Sequence, residues 1–187
     1  MDLKETEVGR SLKYDGEVVR VEQLRVRLAN GELANRDVVY HAPAVAMLVV
    51  TNDDKMVLER QWRMPANQTL LEIPAGKLDD RDQGEPLSAV ERELNEELRL
   101  HAQHVQLLSE FYTSCGFTDE FMYLYLVTEL EPVTHDLPRD QGEFLELQKV
   151  SLPEALQLVA DHQIKDAKTI MAIQAWRLMK LQPEDKA

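Results

Sequence analysis

The apolar residues change period along the chain, and the changes mark its elements. From Val18 to Leu28 they nearly alternate, with Val19, Val21, Leu24, Val26 and Leu28 broken by one slip, which predicts a strand. Asn30-Gly31 is a hairpin signal, and Val38-Val39-Tyr40 begins a return strand. Ala44 to Thr51 is a continuous apolar run, as in a strand covered on both faces. Asn52-Asp53-Asp54 reads as a turn, and strands are predicted at Met56–Trp62 and Thr69–Ile73. The period then lengthens. Leu87, Val90, Leu94 and Leu98 are spaced for one face of a helix that opens at Pro86, where a missing N–H goes unmissed. Strands return at Val105–Tyr112, Phe121–Thr128 and Glu143–Val150, the last preceded by a polar, proline-bearing loop from Glu131 to Gly142. Ser151-Leu152-Pro153-Glu154 resembles a capping box and opens a helix to about Asp161; a last helix is expected from Ala167 to Leu181. Strands around one helix, followed by two helices, predict an α/β (α+β) sandwich.

Residues 1–41 stand apart as a strand-rich extension of the main domain, 42–187. Two strands cannot bury a face alone. The extension is therefore expected to pack on the main domain or on a second copy of the chain.

Charge narrows the function. The 187 residues carry a formal charge of −13, which disfavours nucleic acid and anionic membranes as partners. An anionic substrate would need metal ions and a few arginines to reverse the local field. Cys115 is the only cysteine, the N-terminus is polar and acidic, and the apolar run from Ala42 to Val50 is too short to span a bilayer. A reducing, cytoplasmic setting is expected.

The candidate chemistry lies on the helix after Pro86. Glu93 and Glu97 are four residues apart and stack on one side, Glu97 at the edge of the apolar stripe and Glu93 just beyond it; Glu96 lies further round. Like charges at this spacing oppose a helix and partly buried carboxylates oppose it more. A hard divalent cation removes both penalties. A solvated acidic face is the plain alternative, and Glu91 on the other flank shows that periodicity alone does not choose.

The stretch from Ile73 to Leu100 resembles the Nudix box of the Nudix hydrolase superfamily. Gly76, Glu85, Arg92, Glu93, Leu94, Glu96, Glu97 and Leu100 match its residue types. Two departures are visible. Eight residues separate Gly76 from Glu85 where the box has five, with six instead of seven before Arg92, and Arg99 replaces the closing glycine. The resemblance implies a mixed sheet between helices, Glu93, Glu97 and the Ala75 carbonyl as ligands of Mg²⁺ or Mn²⁺, and Glu96 on a second ion or a water.

Other segments resemble the ADP-ribose diphosphatase branch: Gln61-Trp62-Arg63, Leu71 to Gly76, Phe111 to Gly116 (Cys115 replacing a proline), Gly142 to Glu146 and Ile164 to Thr169. They imply hydrolysis of a nucleoside diphosphate sugar, ADP-ribose first, to AMP and ribose 5-phosphate. They also imply Arg63 and Glu72 at the substrate, Glu143 as the base with Glu120 as its rival, and a homodimer through the N-terminal strands. GDP-mannose hydrolysis, or a binding module without catalysis, are the alternatives. Arg63 has an ion pair with Glu59 or Glu72 as its plain reading. Trp62, Trp176, Phe111, Tyr112, Tyr123 and Tyr125 are assigned to the core by default. Cys115 and the histidines show no catalytic or ligand spacing.

Overall fold

The computed structural model describes residues 2–139, 142 and 144–181. It divides into two compact units: Met1–Ala44 with Phe111–Met122, and Val45–Glu110 with Tyr123–Ala187.

The first unit holds three antiparallel strands in sequence order, β1 (Thr6–Asp15), β2 (Val19–Arg27) and β3 (Leu33–His41). β2 and β3 pair without a break from Val19↔His41 to Arg27↔Leu33. The turn between them carries Asn30-Gly31, and Gly31 takes a φ of 89°, open to glycine at no steric cost. The hydrophobic pattern predicts two strands here, and β1 is an addition. Its register against β2 shifts between Glu7 and Gly9 and again between Leu12 and Tyr14. Such bulges break the alternation that would have revealed it. In the same unit Val39 N–H donates to Phe117 O at 2.8 Å and Asp119 N–H to Val39 O at 3.2 Å, which lays the 113–120 loop along β3.

The second unit is built on two sheets. β4 (Ala44–Val49), β7 (Ala75–Lys77), β8 (Leu100–Tyr112) and β9 (Phe121–Pro132) pair in the order β7-β4-β9-β8, the tips of β8 and β9 belonging to the first unit. β5 (Met56–Arg63), β6 (Gln68–Glu72) and β10 (Glu146–Val150) form an antiparallel sheet in the order β10-β5-β6. Helix α1 (Pro86–Glu93) continues into a wide turn of π-helix at Leu94–Leu98, and α2 (Leu152–Ala160) and α3 (Ala167–Leu181) close the chain.

β4 is buried along its whole length, as its unbroken apolar run requires. Val45, Met47 and Val49 meet Val90, Leu94 and Leu98 from the box helix, together with Tyr125 and Val127 of β9. Alternation turns Ala46 and Leu48 to the other face, where they are equally buried. Helices α2 and α3 add Ala155, Ala172, Ile173 and Trp176 to the core. The result is a mixed-sheet α/β sandwich. Leu87, counted in the apolar stripe, is exposed. β8 starts at Leu100 rather than Val105, and β10 at Glu146 rather than Glu143. The extra residues of β8 alternate buried and exposed positions too weakly in polarity to read as strand. The capping box forms as expected, with Glu154 accepting from Ser151 N–H at 2.7 Å and from its hydroxyl at 2.6 Å.

Candidate active site

The three glutamates of the box helix lie together in the protein rather than on a solvated face. Glu93, Glu96 and Glu97 are 7, 3 and 2 % exposed. The widened turn brings this about. In it Arg99 N–H reaches the carbonyls of both Leu94 and Asn95, so the helix gains girth where Glu96 and Glu97 sit. Glu96, which periodicity sets further round, is buried with the other two. Arg99 ends the turn in the left-handed conformation, φ 61° and ψ 33°. That conformation costs a non-glycine residue roughly 1–2 kcal/mol. Its side chain has offsetting contacts: Nη1 donates to Asn95 O at 3.1 Å and to Leu137 O, and Nε lies 3.8 Å from Asp136.

Gly76 is needed for a close approach, not for its φ. A Cβ there would sit 1.7 Å from Glu93 Oε1 and 2.0 Å from its Cδ. The Glu93 carboxyl therefore rests directly on the β7 backbone, beside Ala75.

Arg92 binds this cluster together. Its Nη1 donates to Glu93 Oε1 at 2.6 Å and to Glu96 Oε2 at 3.0 Å, its Nε and Nη2 to Asp82 at 2.8 and 2.9 Å, and Nη2 also to Lys77 O at 3.0 Å. Those bonds use all five guanidinium donors. Burial opposes its charge, but the Asp82 and Glu93 carboxylates outweigh burial and raise its pKa. The Arg92 hydrogen bonds in turn hold the Asp82 carboxyl below its ordinary range, against burial. Asp82 was missed in the sequence. It sits on a single tight turn, Asp80–Asp82, capped by Asp79, in the part of the loop that is longer than the family's box. The same turn sends Arg81 Nη1 to Glu96 Oε1 at 2.8 Å. The only signal was the Asp79/Asp82 spacing, which matches reciprocal capping.

A second network joins β5, β6 and α3. Arg63 grips Glu72 with Nε and Nη2 at 2.8 and 3.0 Å. Lys168 Nζ also bonds Glu72, and lies 3.1 Å from Asp166. Burial pushes the Glu72 carboxyl up, yet Arg63 and Lys168 prevail and its pKa is lowered. The plain reading of Arg63 as an ion pair with Glu72 is thus what forms, and its two-pronged face is already taken. Thr169 fixes the end of β6, accepting from Ile73 N–H at 2.8 Å and donating to Asp166 at 2.6 Å.

The remaining candidates fall elsewhere. Glu120 lies in the other unit, where Thr113 Oγ1 donates to it at 2.6 Å and His41 Nδ1 is 3.5 Å away. Glu143 lies outside the described residues. Cys115 is exposed on the 113–118 loop. Trp176 is core, as expected, but Trp62 is 55 % exposed, which corrects its assignment to the core. It stands near the end of β5, the middle strand of its sheet, beyond the buried Met56–Glu59 segment and on the same side as the exposed Arg60.

Among the described residues, no group of three or more His, Cys, Asp or Glu side chains is arranged to hold a metal ion as it stands. Arg92 and Arg81 occupy oxygens of Glu93 and Glu96 that an ion would need. The donor set is nonetheless of the right kind: buried carboxylate oxygens, hard ligands suited to Mg²⁺ or Mn²⁺, one of them seated in a hollow that a single Cβ would fill.

The NUDIX domain family model matches residues 40–173. An ADP-ribose pyrophosphatase of Bacillus subtilis (strain 168) is 38 % identical over 176 residues, 94 % of each chain. A methanol dehydrogenase activator of Bacillus methanolicus is 36 % identical over 165 residues, 88 % of each. The crystal structure of an ADP compounds hydrolase superposes with a TM-score of 0.82 at 21 % identity, covering 94 % of each chain. The chain belongs to the Nudix family and is a Nudix hydrolase. No helix among the described residues is long and apolar enough to cross a membrane.

Proposed function

We propose that the protein hydrolyses the diphosphate bond of a nucleoside diphosphate sugar, ADP-ribose first, giving AMP and ribose 5-phosphate. One observation carries this reading: three buried carboxylates crowd one helix end, with Glu93 seated on the Gly76 backbone. The identity to the Bacillus subtilis pyrophosphatase over nearly the whole chain supports the substrate. Glu93, Glu97 and the Ala75 carbonyl would hold Mg²⁺ or Mn²⁺, with Glu96 beside a second ion or the attacking water. A bound divalent ion supplies neutralisation of charge on the diphosphate. Arg63, held by Glu72, presents its remaining Nη1 edge to a phosphate while its fork stays on the carboxylate. Lys168 keeps Glu72 compensated if Arg63 shifts. Glu143 takes the proton of the attacking water, and Glu120 is the second candidate. The setting is cytoplasmic. The chain forms a homodimer through residues 1–41, whose sheet exposes Val8, Leu12, Tyr14 and Leu33; a monomeric mass by light scattering would rule that out.

The test is incubation with ADP-ribose and Mg²⁺, with AMP and ribose 5-phosphate followed separately, beside GDP-mannose and UDP-sugars. Glu143→Gln should lower kcat by ~10²–10⁴ with KM little changed, the usual cost of a lost general base. Wild-type turnover in that variant passes the role to Glu120. Binding without product in the same assay would overturn the proposed activity.

A further inference from the structure

Beyond β9 the chain runs back across the end of the box helix as a strap, residues 133–139. Val133 N–H donates to Arg99 O at 3.1 Å. Asn95 grips the middle of the strap: its Nδ2 donates to His135 O at 2.9 Å, and its Oδ1 accepts from Leu137 N–H at 2.8 Å. Arg99 Nη1 donates to Leu137 O. At the far end Arg139 lays its guanidinium on the turn itself, Nε donating to Glu96 O at 3.2 Å and Nη2 to Glu97 O at 2.8 Å. Strap and turn belong to the same compact unit.

These bonds fall where a helix most needs them. The last carbonyls of a helix lack partners within it and carry its negative partial charge. Here Glu93, Glu96 and Glu97 are buried beside that end, so the charges there are all of one sign. A glycine in the left-handed conformation usually closes such an end. Arg99 takes that conformation instead, and its N–H closes on Leu94 O and Asn95 O. Glu96 O and Glu97 O receive their donors from Arg139, some forty residues on. A π turn is a short, local departure from regular helix. Regular helix would carry Glu96 round, away from Glu93 and Glu97. A group that holds the carbonyls of residues 96 and 97 therefore holds the wide turn, and the Glu96 and Glu97 side chains with it.

We propose that Arg139 is a positioning residue for the divalent ion. Through two main-chain carbonyls it keeps the wide turn in the shape that sets Glu96 and Glu97 for metal, while Asn95 and Arg99 moor the strap that carries it. This rests on the reading that the box carboxylates hold Mg²⁺ or Mn²⁺.

Binding of Mn²⁺ to the protein alone, followed by loss of the free-ion electron paramagnetic resonance signal, reads the turn without turnover. Arg139→Ala should raise the Mn²⁺ Kd about tenfold, the lower end of the usual effect of losing a group that orients a metal ligand. The Mg²⁺ concentration for half-maximal hydrolysis of ADP-ribose should rise in step, with KM for ADP-ribose in saturating Mg²⁺ within about twofold of wild type. Arg139→Lys keeps donors for the carbonyls and should recover most of the Mn²⁺ affinity. Asn95→Ala, at a helical position that alanine favours, should unmoor the strap and weaken Mn²⁺ binding in the same direction; it decides the matter should Arg139→Ala not fold by circular dichroism. A wild-type Mn²⁺ Kd in Arg139→Ala, or a weakened Kd that Arg139→Lys leaves unimproved, would overturn the positioning role. A wild-type protein that takes up no Mn²⁺ would overturn the metal reading, and this role with it.

Discussion

Gly76→Ala separates the position of one carboxylate from the stability of the fold. The backbone tolerates the change, since Gly76 is not among the residues with positive φ, and a tolerated Gly→Ala exchange gains ~0.4–1 kcal/mol through the unfolded chain. The new methyl collides with Glu93 alone among its three nearest atoms: Oε1 at 1.7 Å, Cδ at 2.0 Å and Cγ at 2.6 Å. A flexible side chain yields before a strand does, so Glu93 retreats until its carboxyl is at least 3.0 Å away. The retreat breaks its 2.6 Å bond to Arg92, a charge-assisted bond of ~1.5–3 kcal/mol. The net loss is on the order of 1–2 kcal/mol, or only a few degrees in Tm for a chain of this size. Activity should suffer far more, because a misplacement of about 1 Å in a catalytic group costs ~10²-fold. The expected outcome is therefore a kcat/KM for ADP-ribose near one hundredth of wild type in a protein that melts within a few degrees of it. The loss should also be non-additive with Glu93→Gln, since both changes act on one carboxylate. A rate within threefold of wild type refutes the seating of Glu93 on the backbone as a functional feature. A collapse in Tm refutes the claim that only a side chain moves.

Asp82→Asn leaves the buried Arg92 short of its main counter-charge, and losing one partner of a buried pair costs ~3–5 kcal/mol, to be read by denaturant unfolding. Because the folded Asp82 pKa is lowered, its contribution is complete above the ordinary aspartate range and is lost as pH falls through the folded value; wild type and variant should differ at neutral pH and converge in acid. Arg99→Gly and Arg99→Ala both lose the contacts to Asp136 and Leu137, but only glycine relieves the left-handed backbone, so the glycine variant should be the more stable by ~1–2 kcal/mol. Equal melting of the two would refute strain at Arg99. Chelation with EDTA should stop hydrolysis of ADP-ribose and Mg²⁺ should restore it; turnover that persists in EDTA would remove the metal reading.

What could be read in advance was whatever has a short period. β4, the box helix, α2 with its cap and α3 follow from spacing that a dozen residues display, and the Arg92-to-Glu97 run led directly to the buried carboxylates. β1 escaped because two register shifts scramble its alternation. Asp82 escaped because it reaches Arg92 across ten residues from a loop, and no periodicity links a loop to a helix. Trp62 was misassigned because residue type favours the core, while the exposed face of a strand end depends on which neighbours cover it. On the geometry of a regular helix Glu96 lies further round than Glu93 and Glu97, and the π turn, invisible to a 3.6-residue period, buries it with them.

The longer loop acquires a reason from the same geometry. The loop carries Arg81 and Asp82, and each acts on the acidic turn: Asp82 neutralises Arg92, and Arg81 neutralises Glu96. The two arginines are not equivalent. Arg92 is buried with every donor committed, whereas Arg81 is about half exposed and also bonds the exposed Asp79. An ion approaching Glu96 would have to displace one of them, and the half-exposed Arg81 can turn into water where the buried Arg92 cannot. Arg92 cannot leave without stranding Asp82. Glu96 is thus the carboxylate with a replaceable counter-ion, while Arg92 remains to hold Glu93 and the turn in place.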